Sequence, residues 1–372
     1  MPPVVIDIRS AEDSRDVVHR AVQALAEGKL VGLPTETVYG LAASALHERA
    51  VARLLAVKSR RAGQPLTLAV KSADEALDYA PNLSAIGRRL ARRCWPGPVT
   101  LVVEDQHPDS LLKHLPLTVQ QAIAPTGSIG LRAPAHPTVL DILRMLTGPI
   151  VLTSANRSGG EDPVTAEEVL ESLGNDVDLV LNDGHSRLGQ PSTVVKVGLK
   201  DLQVLRQGVV SEQTLRRLSC LMILFVCTGN TCRSPMAELL CRKMIADRLG
   251  CGLHEVADRG VLVMSAGLSA LVGSRPSPEG VEVLRQMGLN LADHESQPLT
   301  AQLVRHSDII WTMTRAHRQA IVQQWPEAAA RIEVLCKDDD VADPIGGPIE
   351  FYQQCARQIK SALEERLAEI EF

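Results

Sequence analysis

The residues with the clearest chemical meaning lie in one stretch, Cys227-Thr-Gly-Asn-Thr-Cys-Arg-Ser-Pro235. A short apolar run, Met222-Ile-Leu-Phe-Val226, precedes it, and a helical pattern on Met236, Leu240 and Met244 follows. A loop between a strand and a helix aims backbone N–H groups and the positive helix end at one spot, which is an anion site. Ser234 suits an N-cap and Pro235 the first helical position. Cys227 stands at the base of that spot, where the helix N-terminus and Arg233 favour a thiolate. The planar fork of Arg233 matches two phosphate oxygens. This is the chemistry of phosphoryl transfer. Cys227 attacks phosphorus, while Arg233 and the loop of Thr228, Gly229, Asn230, Thr231 and Cys232 hold the equatorial oxygens. Asp343, in Ala342-Asp-Pro-Ile-Gly-Gly347, is placed to protonate the leaving group and later to activate water. Cys232 either forms a reversible disulfide with Cys227 or fills space.

A second set of polar residues is scattered through the first 210 positions. Pro34-Thr-Glu-Thr-Val-Tyr-Gly-Leu41 follows an apolar run at Lys29–Leu33, and its polar groups need partners. Lys58-Ser-Arg-Arg61 puts positive charge at a helix end, which alone reads as compensation of the helix dipole. Thr153-Ser-Ala-Asn156 closes one strand pattern and Pro191-Ser-Thr193 opens another. Small hydroxyl and amide groups at strand ends of an α/β domain are where small polar ligands bind. Arg132 and Arg206 are suited to a carboxylate and to phosphates.

Positioning these groups requires strands and helices, and the pattern supplies both. Val18, Ala21, Val22 and Leu25 share a helical face, as do Val51, Leu54 and Leu55 in a helix ending near Lys58. Residues 29–33, 66–70, 99–103, 129–131 and 150–153 read as strands, and 193–197 with 202–206 as a hairpin. Tyr352, Cys355, Ile359, Leu363, Leu367 and Ile370 mark a long final helix. The expectation is an α/β protein of two domains, residues 1–210 with a mixed twisted sheet and 222–372, joined by a polar linker at 211–221. The 372 residues suit two cores, and 45% hydrophobic with 22% charged residues excludes a largely disordered chain. Seven of eight cysteines follow residue 219, and so does the whole net charge of −5. The first 219 residues carry 24 basic and 24 acidic side chains, which argues against general nucleic-acid binding. No Cys-x-x-Cys pair and no His at a metal spacing argue against a structural metal. No apolar run approaches a membrane span and the start has no signal-peptide pattern, so a cytoplasmic protein with reduced thiols is expected.

Residues 222–372 resemble the low-molecular-weight protein tyrosine phosphatases. Further matches are Ser265-Ala-Gly267, Gly273, Asp293-His-Glu-Ser-Gln-Pro-Leu-Thr300 and Asp308 to Met313-Thr314. The resemblance implies a doubly wound parallel sheet, Cys227 as nucleophile, Arg233 as phosphate binder and Asp343 as general acid. It gives Asn230 to loop geometry and Ser234 to a hydrogen bond with the thiolate, with no cofactor. Thr231 stands where most relatives are aliphatic, which is similar to the bacterial protein-arginine phosphatase branch. Ile345 stands where an aromatic commonly walls the pocket. The implied substrate is a phosphoprotein carrying phospho-arginine or phosphotyrosine.

Residues from about 10 to 210 resemble the YrdC-type threonylcarbamoyl-AMP synthases. The landmarks are Pro34–Leu41, Lys58-x-Arg60, Pro65-Leu66, Trp95-Pro-Gly-Pro-Val-Thr-Leu101, Arg132-x-Pro134, Ser154-Ala-Asn156, Pro191–Val195 and Leu205-Arg206. The resemblance implies synthesis of threonylcarbamoyl-adenylate from L-threonine, bicarbonate and ATP, Mg²⁺ with the triphosphate, and a tRNA-modification machinery as acceptor. It places Thr37, Arg132, Ser154 and Ser192 on threonine. It places Lys58, Arg60, Gln64, Ser128, Asn156, Thr165 and Arg206 on ATP. Ala69, Arg61, Gln64, Lys196 and Gln207 depart from the family pattern. The alternative is a non-catalytic module for double-stranded RNA or a nucleotide, fused to an active phosphatase.

Overall fold

The computed structural model describes residues 2–58, 65–105 and 107–372. Two compact units divide the chain, Met1–Leu218 and Ser219–Phe372. In the first, ten strands are described: β1 (Val4–Asp7), β2 (Val31–Leu33), β3 (Gly40–Ser44), β4 (Thr67–Ala69), β5 (Val99–Glu104), β6 (Ser128–Arg132), β7 (Ile150–Ser154), β8 (Leu179–Asn182), β9 (Thr193–Val197) and β10 (Leu202–Arg206). They form one mixed sheet in the order β1-β8-β2-β3-β7-β4-β6-β5-β9-β10.

Side chains alternate across a strand, so each strand feeds two faces. Leu41, Leu68, Leu101, Leu131 and Val151 face one core, with Leu54, Leu90, Val119 and Val169 from the helices above them. Leu33, Ala42, Ile150, Leu152 and Leu181 face the other. There the helices Ser14–Ala26 and Pro137–Met145 contribute Val18, Leu25, Val139 and Ile142. These two helices cover the second face over β8, β2, β3 and β7. Further along, over β4, β6, β5 and β9, Thr67, Gly130, Thr100, Val102 and Val194 line a cavity. The strand pattern at 66–70, 99–103, 129–131 and 150–153 matches β4 to β7 within a residue or two, and the 193–206 hairpin is antiparallel as expected. The sequence pattern does not mark β1, β3 or β8.

The second unit has β11 (Leu221–Cys227), β12 (Val261–Gly267), β13 (Ile309–Thr312) and β14 (Ile332–Val334), all parallel, in the order β12-β11-β13-β14. Leu221, Ile223 and Phe225 face a core with the helices Arg233–Leu249 and Ile349–Ala368. Leu224 and Val226 face a smaller core holding Val304 and Ile321. Helices therefore cover both faces, and the sheet is doubly wound. The chain leaves β11 for β12 on one side and reaches β13 on the other. The strand order reverses at β11, and in such sheets the crevice for ligands opens at the carboxyl end of the reversal strand. Cys227 is the last residue of β11.

Two local expectations change. Residues 211–221 hold a helix, Glu212–Ser219, where an open linker was expected, and its Leu215 is fully buried in the first unit's core. The strand that follows starts at Leu221, paired with Val261. No helix among the described residues is long and apolar enough to cross a membrane. Leu215→Ala should destabilise the first unit by about 2–4 kcal/mol, the usual cost of emptying a buried leucine site. Peptide-resolved hydrogen exchange should then rise in β9 and β10 while residues 221–227 stay protected.

Candidate active sites

In the first unit the turn Pro34–Tyr39 sinks polar groups into the protein, and each finds a partner. Thr35 Oγ1 donates to Val38 O at 2.6 Å and meets Thr37 Oγ1 at 2.8 Å. Arg132 Nη2 donates to Thr37 Oγ1 at 2.8 Å and to Glu36 Oε1 at 2.8 Å. That ion pair is almost fully buried, with side-chain exposures of 8% for Arg132 and 3% for Glu36. Glu36 also accepts from the Ala135 N–H at 2.9 Å, and Arg132 Nε donates to Gly97 O at 3.2 Å. Glu36 was not singled out from the sequence. Its signal was there, because a carboxylate within a turn that needs buried partners calls for a cation.

The cavity has a volume of about 190 Å³. Of the expected threonine contacts, Arg132, Ser154 and Ser192 line it, whereas Thr37 lies behind them against Arg132. Arg206 lines it too, and its Nη2 donates to Ser192 O at 2.9 Å. Ser192 Oγ meets Thr100 Oγ1 at 3.0 Å. Asp162, which the sequence did not single out, supplies a carboxylate to the lining. Lys58 is buried and donates to Ser154 O at 2.9 Å and to Asn156 Oδ1 at 2.6 Å. Its ammonium thus anchors the end of β7. Asn156 Nδ2 in turn donates to Gly160 O at 2.6 Å. Thr165 caps the helix Ala166–Leu173, accepting from the Glu168 N–H at 3.2 Å, and Ser128 opens β6 beside Thr126. Neither belongs to the described cavity lining. Arg60 and Gln64 lie outside the described residues, as does Arg61. Ala69 is buried at the end of β4, opposite Arg132, and Lys196 is exposed on β9.

In the second unit the loop after β11 folds around the sulfur. The Asn230 N–H donates to Cys227 Sγ at 3.2 Å, and Ser234 Oγ lies 2.9 Å from it. Asn230 has φ 56°, a left-handed conformation that asparagine tolerates better than most residues. Its side chain holds the turn. Nδ2 donates to Ser234 Oγ at 3.0 Å and Ser265 Oγ at 2.9 Å, and Oδ1 accepts from the Gln297 N–H at 2.9 Å. His294 Nε2 sits 2.9 Å from Asn230 O. Gly267 is required beside this turn, because a Cβ there would fall 2.6 Å from Thr228 O.

The helix begins at Arg233, with Cys232 as N-cap. Ser234 is therefore inside the first turn and not the cap expected from sequence, which frees its hydroxyl for Cys227. Arg233 is buried; Nη1 donates to Val341 O at 3.2 Å and Nη2 donates to Asp343 Oδ2 in an ion pair. The Asp343 side chain is 43% exposed, on the loop before the final helix. Cys232 Sγ lies 3.6 Å from Thr231 Oγ1 and 3.8 Å from Tyr352 OH. Ile345 is 67% exposed, beside Asp343 in the chain.

His317 was also missed. Its Nε2 lies 2.9 Å from Thr228 Oγ1 and its Nδ1 2.9 Å from Thr314 Oγ1. Burial pushes its pKa below the ordinary histidine value, and the Arg233 guanidinium adds to this; Asp343 and Asp340 oppose the shift.

Comparison with known proteins adds to this geometry. Residues 23–208 match the family model described as Telomere recombination, the model of Sua5, YciO and YrdC. Residues 222–371 match the model of Low molecular weight phosphotyrosine protein phosphatase. The chain is 33% identical over 215 residues to the threonylcarbamoyl-AMP synthase of Pyrococcus abyssi, covering 58% of this chain and 60% of that relative's length. It is 37% identical over 148 residues to the protein-arginine-phosphatase of Bacillus subtilis, covering 38% of this chain and 92% of the relative. The crystal structure of P. abyssi Sua5 complexed with L-threonine shares the fold, with a TM-score of 0.51 and 23% identity over 71% of this chain and 92% of that one.

Glu36→Ala should lower stability by about 3–5 kcal/mol, because it strands a buried guanidinium. Urea denaturation checks this, and Glu36→Gln, which keeps an acceptor, should lose less.

Proposed function

Residues 23–208 belong to the Sua5, YciO and YrdC family and residues 222–371 to the low-molecular-weight phosphotyrosine phosphatases, and from that premise we propose one chain with two active sites, an L-threonylcarbamoyladenylate synthase and a cysteine-dependent protein phosphatase. The observation that carries the second activity is a cysteine sulfur at the end of β11 that meets an N–H and a hydroxyl, with a buried arginine in the same loop paired to a partly exposed aspartate. Cys227 Sγ attacks phosphorus, and the bond to the leaving atom breaks as Asp343 delivers a proton to it. Arg233 and the loop amides carry the charge on the three remaining oxygens. Water then attacks the phosphocysteine, Asp343 takes its proton, and inorganic phosphate leaves with the thiolate restored. For a dianion to reach Arg233, the guanidinium must release Asp343, and that same release frees the carboxyl to face the leaving group.

Phospho-arginine is the preferred substrate. Thr231 places a hydroxyl where an apolar group would suit a phenyl ring, and Ile345 offers no ring for stacking. The B. subtilis relative, a protein-arginine-phosphatase, supports this reading.

For the first unit, the supporting observation is a cavity with Arg132 and Arg206 on its walls and the hydroxyls of Ser154 and Ser192 beside them. The substrates are L-threonine, bicarbonate and ATP, and pyrophosphate is released. The carboxylate of a threonine carbamate must approach the α-phosphate of ATP, where negative charge accumulates, so guanidinium groups are the natural partners. Mg²⁺ accompanying the triphosphate would draw its ligands mainly from phosphate and water, with Asp162 as the carboxylate within the lining. The product would pass to a tRNA-modifying activity in the cytoplasm.

Threonine- and bicarbonate-dependent release of pyrophosphate from ATP should be measurable with the pure protein; its absence would remove the synthase assignment. Cys227→Ser should cut phosphatase turnover by at least about a thousandfold while leaving pyrophosphate release intact. Thr231→Ile should shift the ratio of kcat/KM for phospho-arginine over phosphotyrosine peptides downward by roughly tenfold or more, the scale of one lost polar contact.

A further inference from the structure

Thr228 follows the nucleophile directly, and its side chain is exposed at the mouth of the phosphate loop. Its hydroxyl meets Nε2 of His317, a residue 89 positions later in the helix Arg315–Gln324. The other ring nitrogen meets the hydroxyl of Thr314, the N-cap of that helix, and Thr314 Oγ1 also accepts from the His317 N–H at 3.2 Å. Thr314 Oγ1 already accepts from that N–H, which leaves its own proton to give to Nδ1. With the hydroxyl donating to Nδ1, the neutral ring carries its own proton on Nε2. Nε2–H then donates to Thr228 Oγ1. A threonine oxygen that accepts from histidine keeps its own O–H free to donate elsewhere. Thr228 is exposed and directly follows Cys227, so this O–H belongs to the residue next to the sulfur that would receive the phosphoryl group.

We propose that His317 is a positioning residue for the phosphate site, holding the Thr228 hydroxyl so that its proton points at a bound phosphoryl oxygen. The pair adds one charge-assisted hydrogen bond to those from the loop amides and Arg233. The inference rests on the phosphatase reading above. Neutral imidazole is what the arrangement needs, since a doubly protonated ring could not accept from Thr314. The side chain touches no reacting atom; it acts through Thr228.

The test uses the full chain and competitive inhibition by inorganic phosphate. Thr228→Val and His317→Ala should each weaken phosphate inhibition roughly tenfold, about the loss of one hydrogen bond to a charged group. KM for the phosphorylated substrate should rise with it, and kcat should change less. The double variant should be no weaker than either single, because both remove the same bond. His317→Gln, with a neutral amide donor, should recover part of the affinity. Thr228→Val within about twofold of wild type, or single effects that multiply in the double variant, would overturn the inference. If His317→Ala does not fold, Thr228→Val and His317→Gln decide the matter, and a His317→Gln that binds phosphate no better than Thr228→Val counts against it. A wild-type chain that hydrolyses nothing removes the phosphatase reading and this inference together. Wild-type turnover abolished by Cys227→Ser, with Thr228 and His317 variants indistinguishable from wild type, removes this inference alone.

Discussion

A guanidinium taken out of water needs a carboxylate, and both halves of the chain are arranged around that requirement. In the first unit Arg132 meets Glu36, and both are almost fully buried. In the second, Arg233 is buried but its partner Asp343 is close to half exposed. The chemistry is the same and the consequences differ. Glu36 is held by Arg132 and by the Ala135 N–H, with no solvent to receive it, so the pair is a fixed strut beneath the cavity. Asp343 has solvent on one side, so parting from Arg233 would leave the carboxylate hydrated.

That difference sorts the arginines by role. Arg132 meets the cavity with its charge already answered by Glu36. Arg206, which also lines the cavity, has no ion pair among the described residues and donates to Ser192. In the second unit Arg233 is paired with Asp343.

How much of this could be read from the sequence depends on how local each feature is. The loop around Cys227 was legible because Cys227, Arg233 and Ser234 fall within eight residues after a strand. How it is supported was not: Ser265, His294 and Gln297 stood out only within stretches that match the family, His317 did not stand out, and no spacing links any of them to Asn230 or Thr228. That Glu36 needs a cation could be read from its turn, but which cation could not, since its partner lies 96 residues away. β3, Gly40-Leu-Ala-Ala-Ser44, is buried on both faces by small residues and shows no alternation. The helix at 212–219 was hidden because Leu215 and Leu218 alone mark its apolar side, and tertiary burial outweighs a polar local composition.

The separate origin of those supports has a physical use. The phosphate loop is tethered on three sides: to β12 through Ser265 and the close approach of Gly267, to the 293–300 segment through His294 and Gln297, and to the end of β13 through Thr314 and His317. A loop held by its own sequence alone would have to order its amides as the ligand arrives. Here Asn230 already sits in a left-handed conformation and its N–H already points at the sulfur. Donors fixed in advance need no reorganisation when charge develops on the transferring group, and such preorganisation is the largest source of electrostatic catalysis. The conformational cost is met during folding of the whole unit, which is why the residues that meet it are dispersed along the chain.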